Sequence, residues 1–148
     1  MAKTFPVIGT FIMDHDDPAP LKVLKVSVGA AAGNDVVVGA AGVYPVITVP
    51  AGFIIHEVLS RVAVAWTASL TATLGDVASA AGFMASADIA PQTAVTTGIF
   101  VSSKAAAEAY ANGKLYLTEQ VINLTTAAAT AAAGQMDLYF LYSVAGEN

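Results

Sequence analysis

The sequence predicts an all-β protein: an antiparallel β-sandwich or jelly roll with an extended N-terminal arm. Three observations lead there. Segments dense in Val, Ile, Phe and Tyr recur along the chain, glycine and proline turn signals separate them, and the glycine spacing leaves no room for a long helix. Residues 1–20 read as the arm and residues 21–148 as the sandwich domain, built from some eight or nine strands.

The arm comes first. Met1 to Met13 reads as extended chain, with Phe5, Val7 and Phe11 on one side, and these three are the candidate partner contacts. Asp14-His15-Asp16-Asp17 then runs into Pro18-Ala19-Pro20, an acidic loop meeting a stiff polyproline-like joint. Two readings fit this segment equally: an arm that leaves the body to pack on a neighbour, and an edge strand of the same domain.

Leu21 to Val28 alternates as a short strand with Lys22 and Lys25 in solvent. Gly29, Gly33, Gly39 and Gly42 bracket a buried Val36-Val37-Val38 run, and Tyr44 to Val49 is the next strand. Pro50 to Asp76 reads as two β-strands and a bend: Pro50-Ala51-Gly52 is turn chemistry opening the longest strand-like stretch, Phe53 to Trp66, with the only tryptophan at its end. Strict alternation puts Ile54, His56, Val58, Ser60, Val62, Val64 and Trp66 on one face, and Glu57, Leu59 and Arg61 on the other. A helix is the rival for residues 54–62, since apolar side chains also recur there at helical spacing. The β-branched content, the missing N-cap and the alternating Thr67 to Asp76 continuation favour strand.

Val77 to Ser103 reads as a long connection pinned by Phe83 and Met84, with a helical turn near Ala87 to Pro91. Lys104 to Ala111 is too short for an independent helix, and Asn112-Gly113 is a turn. Lys114 to Leu117 and Glu119 to Thr125 are short strands, followed by a Thr/Ala connection closed by Gly134. In the last strand, Gln135 to Val144, Met136, Leu138, Phe140 and Tyr142 share one face.

Composition narrows the function. At 148 residues the chain makes one domain, and 56% hydrophobic with 11% charged residues is far below the usual charge content of about 25%. A surface so poor in charge meets water through Thr, Ser and Gly, or is covered by partners; it favours assembly. A formal charge of −5 and six scattered basic residues argue against a nucleic-acid partner, and none is expected. The absence of cysteine excludes disulfides, thiolate catalysis and cysteine-based zinc sites. The first residues lack the apolar core of a signal peptide, so synthesis in a cytoplasm is expected. Val36 to Ile55 is uncharged over twenty residues, yet its glycines and prolines break any membrane helix; no membrane partner is expected.

Chemistry is sparse. Asp14 to Asp17 has metal-ligand residue types, but neighbours on an extended chain point apart, so a solvated loop is the reading taken and no metal is expected. His56-Glu57 fails alike. His56 reads as a core-edge histidine with a hydrogen-bond partner, and Glu57 with Arg61 as a surface or interface ion pair. Tyr110, Tyr116, Tyr139 and Tyr142 suit a glycan-binding platform or, more commonly, strand packing with one hydrogen bond each. No catalytic, cofactor-binding or nucleotide motif occurs, so neither an enzyme nor a cofactor is expected.

As a set, VPAGFIIHEV with the alternation ending TATLGD, the segment GFMASADIAPQTA, and the C-terminal YLTEQVINLTTAAATAAAGQMDLYFLYSV resemble the small Ala/Thr/Gly-rich β-sandwich proteins of tailed-bacteriophage virions, the capsid decoration or cement proteins. The likeness spans Val49 to Val144. It implies a homotrimer on the capsid exterior at three-fold or quasi-three-fold positions, with the major capsid protein as partner and shell stabilisation as its work. A head-fibre or tail address, and a glycan-binding module, are the alternatives.

Overall fold

The computed structural model describes residues 3–4, 21–67, 71–89, 100–105, 108–127 and 133–146. Within them the chain runs through β1 (Lys3–Thr4), β2 (Lys22–Gly29), β3 (Val36–Val37), β4 (Gly42–Val49), β5 (Phe53–Val64), β6 (Thr71–Gly75), the single turn α1 (Ser86–Ile89), β7 (Val101–Ser102), β8 (Lys114–Leu115), β9 (Gln120–Ala127) and β10 (Gln135–Val144). The protein is all-β, and its strands form two sheets. One has the order β1-β4-β9-β6; the other runs β3-β2-β10-β5-β7, with β8 also on β5.

Most pairings are antiparallel; β1 on β4 and β3 on β2 are the parallel ones among the described residues. The core lies between the sheets because each long strand turns alternate apolar side chains inward. From β10 come Met136, Leu138 and Phe140, all fully buried, with Tyr142 beside them; β2 adds Val26 and Val28, and β9 adds Ile122 and Leu124. Burial of such side chains at about 25 cal/mol per Å² of apolar area is the main force holding the sheets together. The expected inward face of the last strand is the observed one.

The strand reading of Phe53 onward holds, but its phase changes once. Ile55 pairs with Tyr142 and Glu57 with Leu141, leaving His56 as an extra residue, a β-bulge. N-terminal to it the inward residues are Phe53 and Ile55; beyond it they are Val58, Ser60 and Val62. Ile54 and His56 therefore lie apart from Val58, against the uninterrupted alternation. A second irregularity skips Ala63, the strand ends at Val64, and Val64 is half-exposed while Trp66 is buried. The stretch from Pro50 to Asp76 holds the two strands expected of it: Thr71 to Gly75 is the second, and it crosses to the other sheet beside β9.

The connection after β6 is anchored as expected. Phe83 and Met84 are fully buried, and Met84 bridges back to Leu74. α1 occupies part of the expected helical turn. The uncharged run from Val36 to Ile55 is divided among β3, β4 and β5, and among the described residues no helix is long and apolar enough to cross a membrane.

Candidate functional site

One end of the sandwich holds a buried charge. Asp76 follows the last residue of β6 and is 3% exposed. Its Oδ2 accepts from Lys114 Nζ at 2.5 Å and from the Tyr116 hydroxyl at 3.0 Å. Its Oδ1 accepts from the Tyr110 hydroxyl at 2.9 Å and from the amides of Ala78 and Ser79 at 3.0 and 3.2 Å. Lys114 Nζ also donates to the Tyr110 oxygen at 2.8 Å, and it lies 4.0 and 5.0 Å from the Tyr110 and Tyr116 ring centres. A cation is thus wrapped by a carboxylate and two aromatic faces.

Local structure explains how these groups meet. The amides of Ala78 and Ser79 fold back on Asp76 in an Asx-type turn. Tyr110 rests its ring against Phe83 edge to face, 5.2 Å apart. Gly113 takes a φ of +89°, reverses the chain after Tyr110, and so delivers Lys114 and Tyr116 to the same spot.

The electrostatics follow from burial against donors. Desolvation is the largest influence on Asp76 and pushes its carboxyl up, but the donors together outweigh it and hold the group below the ordinary carboxylate range. Burial pulls Lys114 down, yet the hydrogen bonds and charge of Asp76 and Tyr110 keep it raised. Tyr116 is pushed far above the usual phenol range by burial and by the adjacent carboxylate. The cluster is a locked ion pair, not an acid or base poised near neutrality. Beside it opens a cavity of about 260 Å³ lined by Val77, Lys114, Leu115 and Leu117, of which Val77 and Leu117 are 85% and 80% exposed.

A second cluster lies on the outer face of the larger sheet. Asp137 in β10 is buried beneath Arg61 Nη2 at 2.6 Å and Lys25 Nζ at 3.2 Å. Phe100 packs on Tyr139 there, with Arg61 over the Phe100 ring. The Asp137 hydrogen bond, first, and the charge of Tyr139 raise the Arg61 pKa. Among the described residues Asp137 Oδ1 and Arg61 Nε have no hydrogen-bond partner.

The expected Glu57–Arg61 pair is not formed. Glu57 instead accepts from the Ser102 hydroxyl and faces Lys104 at 3.5 Å, since β7 lies alongside β5 at that point, whereas Arg61 lies opposite Asp137 in the register. His56 has its single partner, Ser143 Oγ at 2.7 Å. That contact brings a hydroxyl to an imidazole, but among the described residues no carboxylate orients the ring as the third member of a nucleophile-activating set.

The four tyrosines do not form a platform. Tyr116 and Tyr142 are buried, Tyr110 bonds Asp76, and Tyr139 lies on the outer face with Phe100 against its ring and Lys25 over it, apart from the other three. Among the described residues no three His, Cys, Asp or Glu converge as metal ligands. Phe5, Val7, Phe11 and the Asp14 to Asp17 loop lie outside the described residues.

Comparison with known proteins adds the fold relatives. No family model and no curated protein matches this chain. Two solved structures do. A chain of the cyanophage Pam1 capsid asymmetric unit is similar with a TM-score of 0.56 and 20% identity over 86% of both chains. A chain of the acidic stable capsid structure of Helicobacter pylori bacteriophage KHP30 is similar with a TM-score of 0.50 and 13% identity, over 85% of this chain and 91% of that one. At these identities the likeness is one of fold.

Proposed function

We propose that this chain is a structural, non-enzymatic virion protein that seats on the outer surface of a phage capsid and stabilises the shell. The observation that carries the reading is the shared sandwich: it extends over nearly the whole of this chain and of chains found in two phage capsid structures. The quoted strand and turn segments support the finer version, a decoration protein assembled as a homotrimer at three-fold or quasi-three-fold positions, with the major capsid protein as partner. Residues 1–20 then act as the arm, with Phe5, Val7 and Phe11 as its contacts.

The physical chemistry agrees with that work. The strongest polar cluster is a closed ion pair that fixes loops, and nothing in it is left to turn over a substrate. Val77, Leu115 and Leu117 form an apolar rim at one end of the sandwich, and surfaces of this kind gain affinity by excluding water. Weak single contacts suffice on a lattice, because several linked copies bind with summed avidity.

Two measurements test the reading. Light scattering after gel filtration should give three chains per particle, and co-sedimentation with expanded phage heads should deplete the protein at a fixed stoichiometry per hexamer. A monomer that leaves such heads unbound would sink the proposal.

A further inference from the structure

The slot that β1 fills on β4 is the place to look for contact between copies. β1 pairs in parallel with β4 through Lys3 opposite Ile47 and Thr4 opposite Thr48, and among the described residues this is all that covers that side of β4. The two-residue β3 of the other sheet touches β4, so the β4 edge and the β2 edge lie on the same side of the sandwich.

They also end at the same height. β4 passes through the Pro50 to Gly52 turn into β5, whose first residue Phe53 is opposite Val144, and Tyr142 is opposite Lys22 at the start of β2. Thr48 and Lys22 are thus at the same end of one side, on the two facing sheets, and stacked sheets pack about 10 Å apart. A chain leaving Thr4 needs only a few residues to reach Leu21. It has sixteen, residues 5–20, with a contour of about 55 Å. The composition of the closing Pro18-Ala19-Pro20, which lies outside the described residues, favours a span more than a tight return.

This side carries unused apolar surface. Leu21 just before β2 and Val23 on β2, at the end of the slot, are 54% and 58% exposed, and Val37 on β3 and Val43 on β4, toward the opposite end, are 47% and 62% exposed. From the slot, the surplus chain and this apolar edge together we infer that residues 3–4 of one copy occupy the β4 slot of a second copy, so that each sheet is completed in trans. Exchange of an identical element costs no new contact type and closes a symmetric ring. The inference rests on the self-association part of the proposed function, and extends it by naming the exchanged strand and its receptor.

The chain has no cysteine, so disulfide trapping has a clean background. One variant carries Thr4→Cys and another, tagged for size, carries Thr48→Cys; they are co-expressed, purified together and oxidised. A third carries both substitutions. Exchange predicts a disulfide-linked heterodimer from the first two and covalent multimers ending at the closed ring from the third. If the third gives only single chains with an internal disulfide, or if no disulfide forms in either experiment, the inference is overturned. Light scattering on the same samples separates the two levels: a trimer with internal disulfides overturns the exchange alone, and a monomer overturns the self-association as well.

Discussion

Replacing Asp76 by Ala is the sharpest test of the energetic picture. The change removes the carboxylate from five donors at once and leaves the Lys114 ammonium against two tyrosine hydroxyls. Breaking a buried ion pair by deleting one member costs about 3–5 kcal/mol. Lys114 keeps 22% of its side chain exposed and can turn toward the adjacent cavity, so a value near the bottom of that range, about 3 kcal/mol, is expected. For a chain of this size that corresponds to a fall in Tm of roughly 6–12 °C. Urea unfolding followed by the fluorescence of Trp66, at one fixed protein concentration, reads the loss directly. The double change Asp76→Ala with Lys114→Met should cost clearly less than the sum of the single changes, because it removes the stranded charge along with its partner. A single-variant loss under about 1 kcal/mol, or strict additivity, would refute the reasoning.

The same pair sets the pH response. The folded carboxyl titrates below its unfolded value of about 3.9, so its stabilisation is complete above that pH and fades as pH falls through the folded pKa. Lys114 is raised in the folded state, so its share is complete below about pH 10 and is lost as pH rises through the folded value. Stability curves of the parent should bend at both extremes, and those of the double variant should lack both bends.

Two further substitutions probe the core. Gly134 has a φ of +141°, and a Cβ there would run into the Trp66 ring, so Gly134→Ala should cost about 1–3 kcal/mol and shift the Trp66 emission. Phe83→Ala empties a fully buried site against Tyr110 and should cost about 3–5 kcal/mol in the same urea assay.

Strand chemistry was legible where alternation was regular and long. β10 shows this best, since Met136, Leu138, Phe140 and Tyr142 turn inward as their spacing predicts. β5 was legible as a strand but not in phase, because no glycine or proline marks the bulge at His56. β7 is two residues and too short to carry a period, whereas β8 falls within the short strand expected at Lys114 to Leu117. Gly75-Asp76 reads as turn chemistry, and so it is, but the carboxylate's main side-chain partners lie 34 to 40 residues downstream. Asp137 was likewise hidden on the polar side of an amphipathic strand, its burial supplied by Arg61 and Lys25 from the strands on either side. Convergence of that kind belongs to the topology and leaves no local pattern.

The bulge at His56 has a consequence for how this chain can change length. Were that residue deleted, Ile55 would still turn inward, Glu57 outward and Val58 inward, so both halves of β5 would keep their faces. Removing a residue from a regular stretch of the strand, such as Leu59, would turn the side chains on one side of the cut inside out. Codon loss at this joint costs the Ser143 contact and a bend between the stretch that meets β8 and the one that meets β7. β5 thereby contains one spot where the loss of a single residue leaves the inward and outward faces of both halves unchanged.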